Sequence, residues 1–125
     1  MNFPEDLKYT DDHEWVKIEG NIATVGVTDH AASELGDVVY IDIEMDGAVS
    51  KGDTIGTIEA VKTVADMFSP VSGTITEINT SLNDNPEVVN NDAYGDGWIV
   101  KIELTDATEL DGLMDASSYK ESIGH

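Results

Sequence analysis

The side chains that could act as nucleophiles and bases in this chain do not form a recognisable catalytic motif. A hydrolase needs a nucleophile with a base beside it, and the histidines are His13, His30 and His125. His30 falls inside a predicted helix and His125 is the last residue. A hydrolase that used Ser50 or Ser69 with His13 would need these groups within hydrogen-bond reach, and their spacing does not indicate this.

Metal and phosphate sites are also not indicated. Residues 11–14 read Asp-Asp-His-Glu, but such neighbours are expected by chance in a chain with 26 acidic residues, and no second ligand cluster accompanies them. We therefore predict no metal site and a solvent-exposed polar entry to the first strand. The absence of cysteine excludes a disulfide framework, a thiolate nucleophile and a sulfur-ligated zinc site. The glycines have neither Walker nor dinucleotide spacing.

Lys62 remains as a candidate for chemistry. It lies between two extended runs, residues 54–61 and 64–68, so a tight hairpin would place it at the tip. A catalytic lysine needs a neutral amine, whereas the neighbouring Glu59 and Asp66 favour the ammonium form. An exposed turn lysine is ordinarily a solubilising charge. The same geometry also suits acylation by another enzyme, which supplies its own base and recognises the rigid turn.

The elements that position this hairpin are short and mostly extended. Residues 15–19 and 22–27 are rich in β-branched side chains and are separated by Gly20-Asn21, which predicts a hairpin. Residues 28–35 begin with a threonine suited to cap a helix and end before Gly36, which predicts a short helix.

Two further strands are predicted over residues 38–44 and 98–104. Alternation assigns to their buried faces Val39, Ile41 and Ile43 in the first strand, and Trp98, Val100, Ile102 and Leu104 in the second. A C-terminal helix is predicted to follow, capped by Thr105 or Asp106, with Leu110, Leu113 and Met114 on one face. These signals indicate a mainly β fold, a flattened barrel or sandwich of short strands with small helices.

The length and charge of the chain limit the classes of function. With 125 residues we expect one domain spanning 1–125. The 26 acidic and 6 basic residues give a formal charge of −20, which disfavours nucleic acid and anionic membranes as partners. There is no long apolar run and no basic, apolar leader at the N-terminus, so we expect a soluble, cytoplasmic protein.

The acidity exceeds what solubility requires, since small domains usually carry a net charge of about 2–8 in magnitude. Concentrated salt screens the resulting self-repulsion. The acids run from Glu5 to Glu121 without clustering, so we interpret the charge as an adaptation to a salt-rich cytoplasm. An acidic docking face for a basic partner is the alternative interpretation.

The hairpin sequence resembles the attachment site of the glycine-cleavage H protein family. Residues 58–66, Ile-Glu-Ala-Val-Lys-Thr-Val-Ala-Asp, carry the resemblance with residues 69–73, Ser-Pro-Val-Ser-Gly. It extends over nearly the whole chain, through residues 9–10, 13–16, 23–29, 35–37, 86–90, 94–98 and, less specifically, 118–119. The resemblance implies a lipoyl/biotinyl-type fold with N- and C-terminal extensions.

By this resemblance, the chain is a monomeric, non-catalytic carrier with lipoic acid in amide linkage on Lys62. A pyridoxal-phosphate glycine decarboxylase would load an aminomethyl group, a tetrahydrofolate-dependent aminomethyltransferase would unload it, and dihydrolipoyl dehydrogenase would reoxidise the dithiol. A lipoate ligase or a lipoyl/octanoyl transferase would attach the arm. Imported sulfur chemistry is consistent with a chain that lacks cysteine.

The resemblance also implies that Glu14 and Asp66 contact the loaded arm, both acidic as a cationic amine requires. In so acidic a chain the alternative is that both are solvated surface acids. Two positions depart from the family pattern. Asp12 replaces a frequent serine near the arm, and Ala60 replaces a serine before the modified lysine.

Several other functions compete with this interpretation. A lipoyl relay that donates lipoyl groups to other lipoyl domains is the nearest. A lipoyl domain of a 2-oxoacid dehydrogenase normally has Pro- and Ala-rich linkers, which are absent here. A biotin carrier usually has methionines beside the lysine, where this chain has Val61 and Thr63.

Overall fold

A computed structural model describes residues 2–44 and 46–124. His125, which we predict to have no catalytic role, lies outside these ranges. The strands are β1 (Lys8–Tyr9), β2 (Glu14–Glu19), β3 (Ile22–Val27), β4 (Val38–Ile43), β5 (Gly47–Val49), β6 (Thr54–Ala60), β7 (Val64–Phe68), β8 (Gly73–Ile78) and β9 (Val100–Leu104). The helices are α1 (Asp29–Leu35), α2 (Val88–Asn91) and α3 (Ala116–Ser122), with 3₁₀ helices at Thr80–Asn83 and Ala107–Gly112.

The strands form two antiparallel sheets. One has six strands in the order β1-β2-β3-β9-β8-β5, and the other has three in the order β4-β6-β7. Buried side chains from both sheets share one core, among them Val25, Ile41, Ile58, Met67 and Ile102. The prediction of a mainly β fold with small helices is therefore confirmed. Among the described residues, no helix is long and apolar enough to cross a membrane.

The first hairpin forms as predicted. Glu19 pairs with Ile22 across the two-residue turn, and Gly20 has a positive φ of 62°. Helix α1 also forms where the sequence predicts it, because the Thr28 hydroxyl accepts a hydrogen bond from the Ala31 amide at 3.1 Å.

Ile41, Val100, Ile102 and Leu104 are buried as predicted, whereas the predictions for Val39 and Trp98 are wrong. Strand β4 has an irregular register between Val38 and Tyr40, so that Val38 is buried while Val39 is 49% exposed. A bulge of this kind shifts the alternation by one residue. Strand β9 begins at Val100 rather than Trp98, and Trp98 is only half-buried while its neighbour Ile99 is buried.

The predicted C-terminal helix begins later than expected. Residues Ala107–Gly112 form a 3₁₀ helix capped by Asp106, and Met114 pairs with Tyr9 as an added bridge to β1. The α-helix then starts at Ala116, because the Asp115 side chain accepts the hydrogen bond of the Ser118 amide at 2.8 Å. The apolar spacing predicted a helix too early, since Asp115 supplies a second cap.

A second, aromatic cluster joins the two ends of the chain to strand β2. Tyr9 and Tyr119 stack with ring centroids 4.9 Å apart, and Trp15 packs in the same cluster. The Trp15 indole donates a hydrogen bond to the Ala93 carbonyl at 2.8 Å and lies over Gly26, its partner across the sheet. A Cβ at Gly26 would come within 2.7 Å of the indole, so this position requires glycine. This cluster fixes β2, which carries Glu14.

Candidate functional site

Lys62 lies at the tip of the hairpin formed by β6 and β7. The Ala60 amide donates to the Thr63 carbonyl at 2.8 Å, which closes a tight loop between the two strands. The Val61 amide donates to the Asp37 carbonyl at 3.0 Å and ties the tip to the segment before β4. Lys62 itself is exposed. The predicted hairpin is confirmed, and its lysine is accessible on a backbone held at two points.

The Lys62 side chain lies over Gly36, the residue that ends α1. Its Cε atom is 3.1 Å from the position that a Cβ at Gly36 would occupy. Gly36 has a φ of 79°, and its amide donates to the Ala32 carbonyl at 3.1 Å. Glycine therefore both ends the helix and leaves space for the stem of the lysine.

A groove of about 170 Å³ begins next to this point. Its walls are apolar side chains from β3, α1, β6 and β7: Val27, Ala31, Leu35, Ile58, Ala65 and Met67. Polar side chains complete its lining: Asp12, His13, Glu14, Glu34 and Asp66. The structure thus brings Glu14 and Asp66 together in the lining of one groove.

Glu14 is almost fully buried, at 2% exposure, which excludes the alternative of a solvated surface acid. Its carboxylate oxygens accept hydrogen bonds from the Thr10 hydroxyl at 3.0 Å and the Phe68 amide at 3.2 Å. Burial raises the pKa of Glu14 to about 8, because the charged form loses hydration that two hydrogen bonds only partly replace. At neutral pH this carboxyl group is therefore largely protonated.

Asp66 differs from Glu14 in its surroundings. It is exposed on β7, opposite Thr57 of β6, at the edge of the groove. For Asp66 the structure is compatible with both interpretations, a solvated acid and a rim contact to a bound cation.

His13 belongs to a hydrogen-bonded network that the sequence did not predict. Its Nδ1 lies 2.9 Å from the Tyr119 hydroxyl, which lies 2.8 Å from the Thr28 hydroxyl at the start of α1. The His13 and His30 rings are 4.9 Å apart, and burial together with His30 lowers the pKa of His13. His13 also has a positive φ of 67°. Asp11 and Asp12 are exposed to solvent, as predicted for the start of the first strand. The same prediction is wrong for His13, which is partly buried, and for Glu14, which is buried.

The groups of the alternative hydrolase are engaged elsewhere. The Ser69 hydroxyl is buried and donates to the Val71 carbonyl at 2.6 Å, and His13 Nδ1 faces Tyr119. Within residues 2–44 and 46–124, no group of three or more His, Cys, Asp or Glu side chains has the geometry to hold a metal ion. The site therefore offers an accessible amine and a mostly apolar groove that contains one buried acid.

The chain is thus a small protein of two antiparallel sheets that presents an exposed lysine at the tip of a tight hairpin. The family model described as "Glycine cleavage H-protein" matches residues 7–125. The chain belongs to this family, whose members are lipoyl carriers of the glycine cleavage system.

Relatives cover almost the full length of the chain. The glycine cleavage system H proteins of Bacteroides fragilis and Bacteroides thetaiotaomicron are 50% and 51% identical over 124 residues, covering 98% of both chains in each case. That of Staphylococcus haemolyticus is 49% identical over 125 residues, with 99% coverage of both. The crystal structure of an H protein from Mycobacterium marinum matches with a TM-score of 0.89 and 38% identity, covering 98% of this chain and 100% of the other.

Proposed function

We propose that Lys62 carries lipoic acid in amide linkage and that the chain is a single, non-catalytic carrier domain. It moves the aminomethyl group of glycine from glycine decarboxylase to aminomethyltransferase and is reoxidised by dihydrolipoyl dehydrogenase. The observation that carries this proposal is the accessible Lys62 at the tip of a doubly tied hairpin. A tethered group meets each docked enzyme at a high effective concentration, so the carrier gains rate without catalytic groups of its own.

The residues around Lys62 fit a lipoyl arm. The group supplies a dithiolane that accepts and releases the aminomethyl unit. Gly36 leaves space for the lysine stem, and the groove beside it has apolar walls suited to an aliphatic chain. These walls exclude water from whatever lies between them, which would slow hydrolysis of a labile amine.

Glu14 and Asp66 provide the charge complement for a cationic amine. Glu14 is largely neutral while the groove is empty of charge, because burial raises its pKa to about 8. An ammonium group in the groove would favour the carboxylate, so Glu14 would release its proton to solvent and pair with the cation. Asp66 acts on the same cation from the exposed rim, where water weakens the attraction.

Attachment and location follow from the same proposal. A lipoate ligase or a lipoyl/octanoyl transferase acylates Lys62, and the protein acts as a monomer in the cytoplasm. The acidity adapts it to a salt-rich cytoplasm. Among the described residues, the ion pair within 4.0 Å is Lys17 with Glu19, which leaves the other surface acids unpaired and supports a screening role for salt.

The direct test is the intact mass of the protein purified from its native source, followed by peptide mapping. We expect one lipoyl group on Lys62. Biotin at that position, or no acyl group, would contradict the proposal. Turnover with purified glycine decarboxylase and aminomethyltransferase distinguishes the carrier from a lipoyl relay, which would show none.

A further inference from the structure

The hydrogen bonds that link Thr28, Tyr119 and His13 can all be satisfied in one direction only. The Thr28 hydroxyl oxygen accepts the Ala31 amide, and its other partner among the described residues is the Tyr119 hydroxyl at 2.8 Å. Thr28 and Tyr119 are both 0% exposed, so the Thr28 proton cannot be donated to water and is donated to the Tyr119 oxygen. The Tyr119 proton is then donated to His13 Nδ1 at 2.9 Å. We call these three side chains the His13 network.

The direction of these hydrogen bonds fixes the protonation state of His13. An imidazole whose Nδ1 accepts a hydrogen bond is neutral and carries its proton on Nε2. If His13 were protonated, its Nδ1–H would donate to Tyr119, and Tyr119 would have to donate to Thr28. The Thr28 proton would then be buried without an acceptor, which is costly. The His13 network therefore opposes the charged form of the imidazole.

The backbone holds His13 in this network. Its amide donates to the Thr10 carbonyl at 3.2 Å, and its carbonyl accepts the Thr28 amide at 3.0 Å. These bonds keep His13 in the left-handed conformation, with a φ of 67°, which residues other than glycine adopt infrequently. The fold, rather than a bound group, therefore sets the position of the ring.

The carboxyl groups around His13 act in the opposite direction. They lie on the preceding turn, on β2, on α1 and on β7: Asp11, Asp12, Glu14, Glu34 and Asp66. Negative charges near a histidine favour the imidazolium. Burial and the neighbouring ring of His30 oppose them and lower the pKa of His13 below its ordinary value. The His13 network acts in the same direction as burial.

A charged His13 would compete with the cationic amine that the groove is proposed to hold. The imidazolium would pair with the carboxyl groups of the groove lining, to which His13 itself belongs. It would also repel an ammonium group that enters the groove. A neutral His13 leaves the acids available to that cation.

We propose that the Tyr119 hydroxyl is a positioning group that keeps His13 neutral, so that the acids of the groove remain available to a cationic amine on the arm. This inference rests on the proposed function. Tyr119 lies on α3, 106 residues from His13 along the chain, and is not part of the groove lining. It therefore acts on the groove through His13.

The test uses Tyr119→Phe, which removes the hydroxyl and keeps the ring that stacks on Tyr9. The matched control is Tyr9→Phe, because the hydroxyl of this equally buried tyrosine donates to the Pro4 carbonyl instead of His13. The rescue is Tyr119→Phe combined with His13→Asn, since asparagine cannot become charged and tolerates the left-handed conformation. Nitrogen-15 NMR of the imidazoles in the unmodified proteins reports the tautomer and protonation of His13 across pH. Ammonia release from the loaded carriers reports hydrolysis of the amine.

In the wild type at neutral pH we expect the resonances of a neutral imidazole with its proton on Nε2. In Tyr119→Phe the proton affinity of His13 should rise roughly fivefold, the factor that corresponds to one ordinary hydrogen bond. Tyr9→Phe should titrate as the wild type does. Hydrolysis of the loaded amine should accelerate in Tyr119→Phe and return to the wild-type rate in the double variant.

A protonated imidazole in the wild type at neutral pH, or a proton on Nδ1, would overturn the proposal even if Tyr119→Phe did not fold. Unchanged titration of His13 in Tyr119→Phe would also overturn it. Hydrolysis that accelerates equally in Tyr9→Phe, or that the double variant does not restore, would show that Tyr119 only stabilises the fold. Failure of Lys62 to accept lipoic acid would instead contradict the proposed function, and the NMR of the unmodified protein would still decide the state of His13.

Discussion

Lys62 and Glu14 differ in their access to solvent. Lys62 is exposed on a tip held by backbone hydrogen bonds, whereas Glu14 is 2% exposed and its carboxylate accepts two hydrogen bonds. A covalent handle must reach the active site of another enzyme, and a group that is to strengthen electrostatic attraction must be kept from water. Under the proposed function, this contrast separates attachment of the arm at Lys62 from protection of its cargo at Glu14.

The largest effect on carrier turnover is expected from substitution of Lys62. Lys62→Arg keeps the charge but removes the nucleophilic amine, so lipoylation and carrier turnover should be abolished while the thermal unfolding temperature stays unchanged. Intact mass and a reconstituted glycine cleavage assay measure this. Lys51→Arg, a matched change at another exposed turn lysine, should behave as wild type. Carrier activity of Lys62→Arg above background would contradict the proposal that Lys62 carries the lipoyl group.

The buried Glu14 should make the free energy of unfolding depend on pH. The folded pKa of Glu14, about 8, lies above its ordinary value of 4.5, so the folded state binds one more proton than the unfolded state between these values. The free energy of unfolding should therefore fall as pH rises from 4.5 to 8, by up to about 1.4 kcal/mol per pH unit. Denaturant unfolding of the wild type and Glu14→Gln across this range measures the difference.

Glu14→Gln mimics the neutral form of the side chain. Its free energy of unfolding should therefore lack the decrease between pH 4.5 and 8 that Glu14 causes. The control Glu103→Gln changes an exposed acid on β9 and should keep it. Parallel pH profiles for the wild type and Glu14→Gln would mean that Glu14 is charged throughout. Burial would then have no effect on the charge of Glu14, and the comparison with the exposed Lys62 would have no electrostatic consequence.

The strand that carries Glu14 depends on the aromatic cluster behind it. Gly26→Ala should reduce the free energy of unfolding by about 1–3 kcal/mol, because its Cβ would overlap the buried Trp15 indole. Gly112→Ala is the control, since the nearest atom to its Cβ is the flexible end of Lys51 at 3.4 Å. Denaturant unfolding compares the two variants. Equal stabilities would show that β2 is less tightly fixed than the structure indicates.

The contrast also shows what the sequence can predict. The β6–β7 hairpin and the position of Lys62 are local features, because two extended runs separated by a short gap define them. The surroundings of Glu14 are not only local, since its carboxylate accepts a hydrogen bond from the Phe68 amide, which is 54 residues away. The link between His13 and Tyr119 spans 106 residues, and no pattern along the chain indicates it.

Sequence alternation places Val39 on the wrong face for a related reason. A single irregular pairing between β4 and β6 reverses the alternation, and the sequence of β4 alone carries no signal for it. The sequence predicts the C-terminal helix too early because Asp106 and Asp115 both cap helical segments, the first a 3₁₀ helix and the second α3. Strand and turn chemistry was therefore predictable, while pairing irregularities and long-range polar contacts were not.

Salt should act on the exposed acids and leave the buried one unaffected. Because the formal charge is −20, screening of surface repulsion should raise the free energy of unfolding by about 1 kcal/mol, or roughly 4 °C in Tm, between low and molar salt. Thermal unfolding at increasing concentrations of potassium chloride measures this, and the Glu14→Gln difference at fixed pH should stay nearly constant. A flat response would contradict the proposed adaptation to a salt-rich cytoplasm.

The smallest effect is expected at the rim of the groove. Asp66→Asn removes an exposed carboxylate, and ion pairs in such positions contribute roughly 0–1 kcal/mol, so hydrolysis of the loaded amine should accelerate by no more than about fivefold. Glu14→Gln should accelerate it more, because the buried acid attracts the cation in a medium with little water. Ammonia release from the loaded carrier alone, at low and molar salt, measures both. The Asp66→Asn effect should disappear at molar salt while that of Glu14→Gln persists, since only the exposed pair is screened. Equal effects that respond equally to salt would show that the two acids act as one solvated pair, and the burial of Glu14 would then have no consequence for the arm.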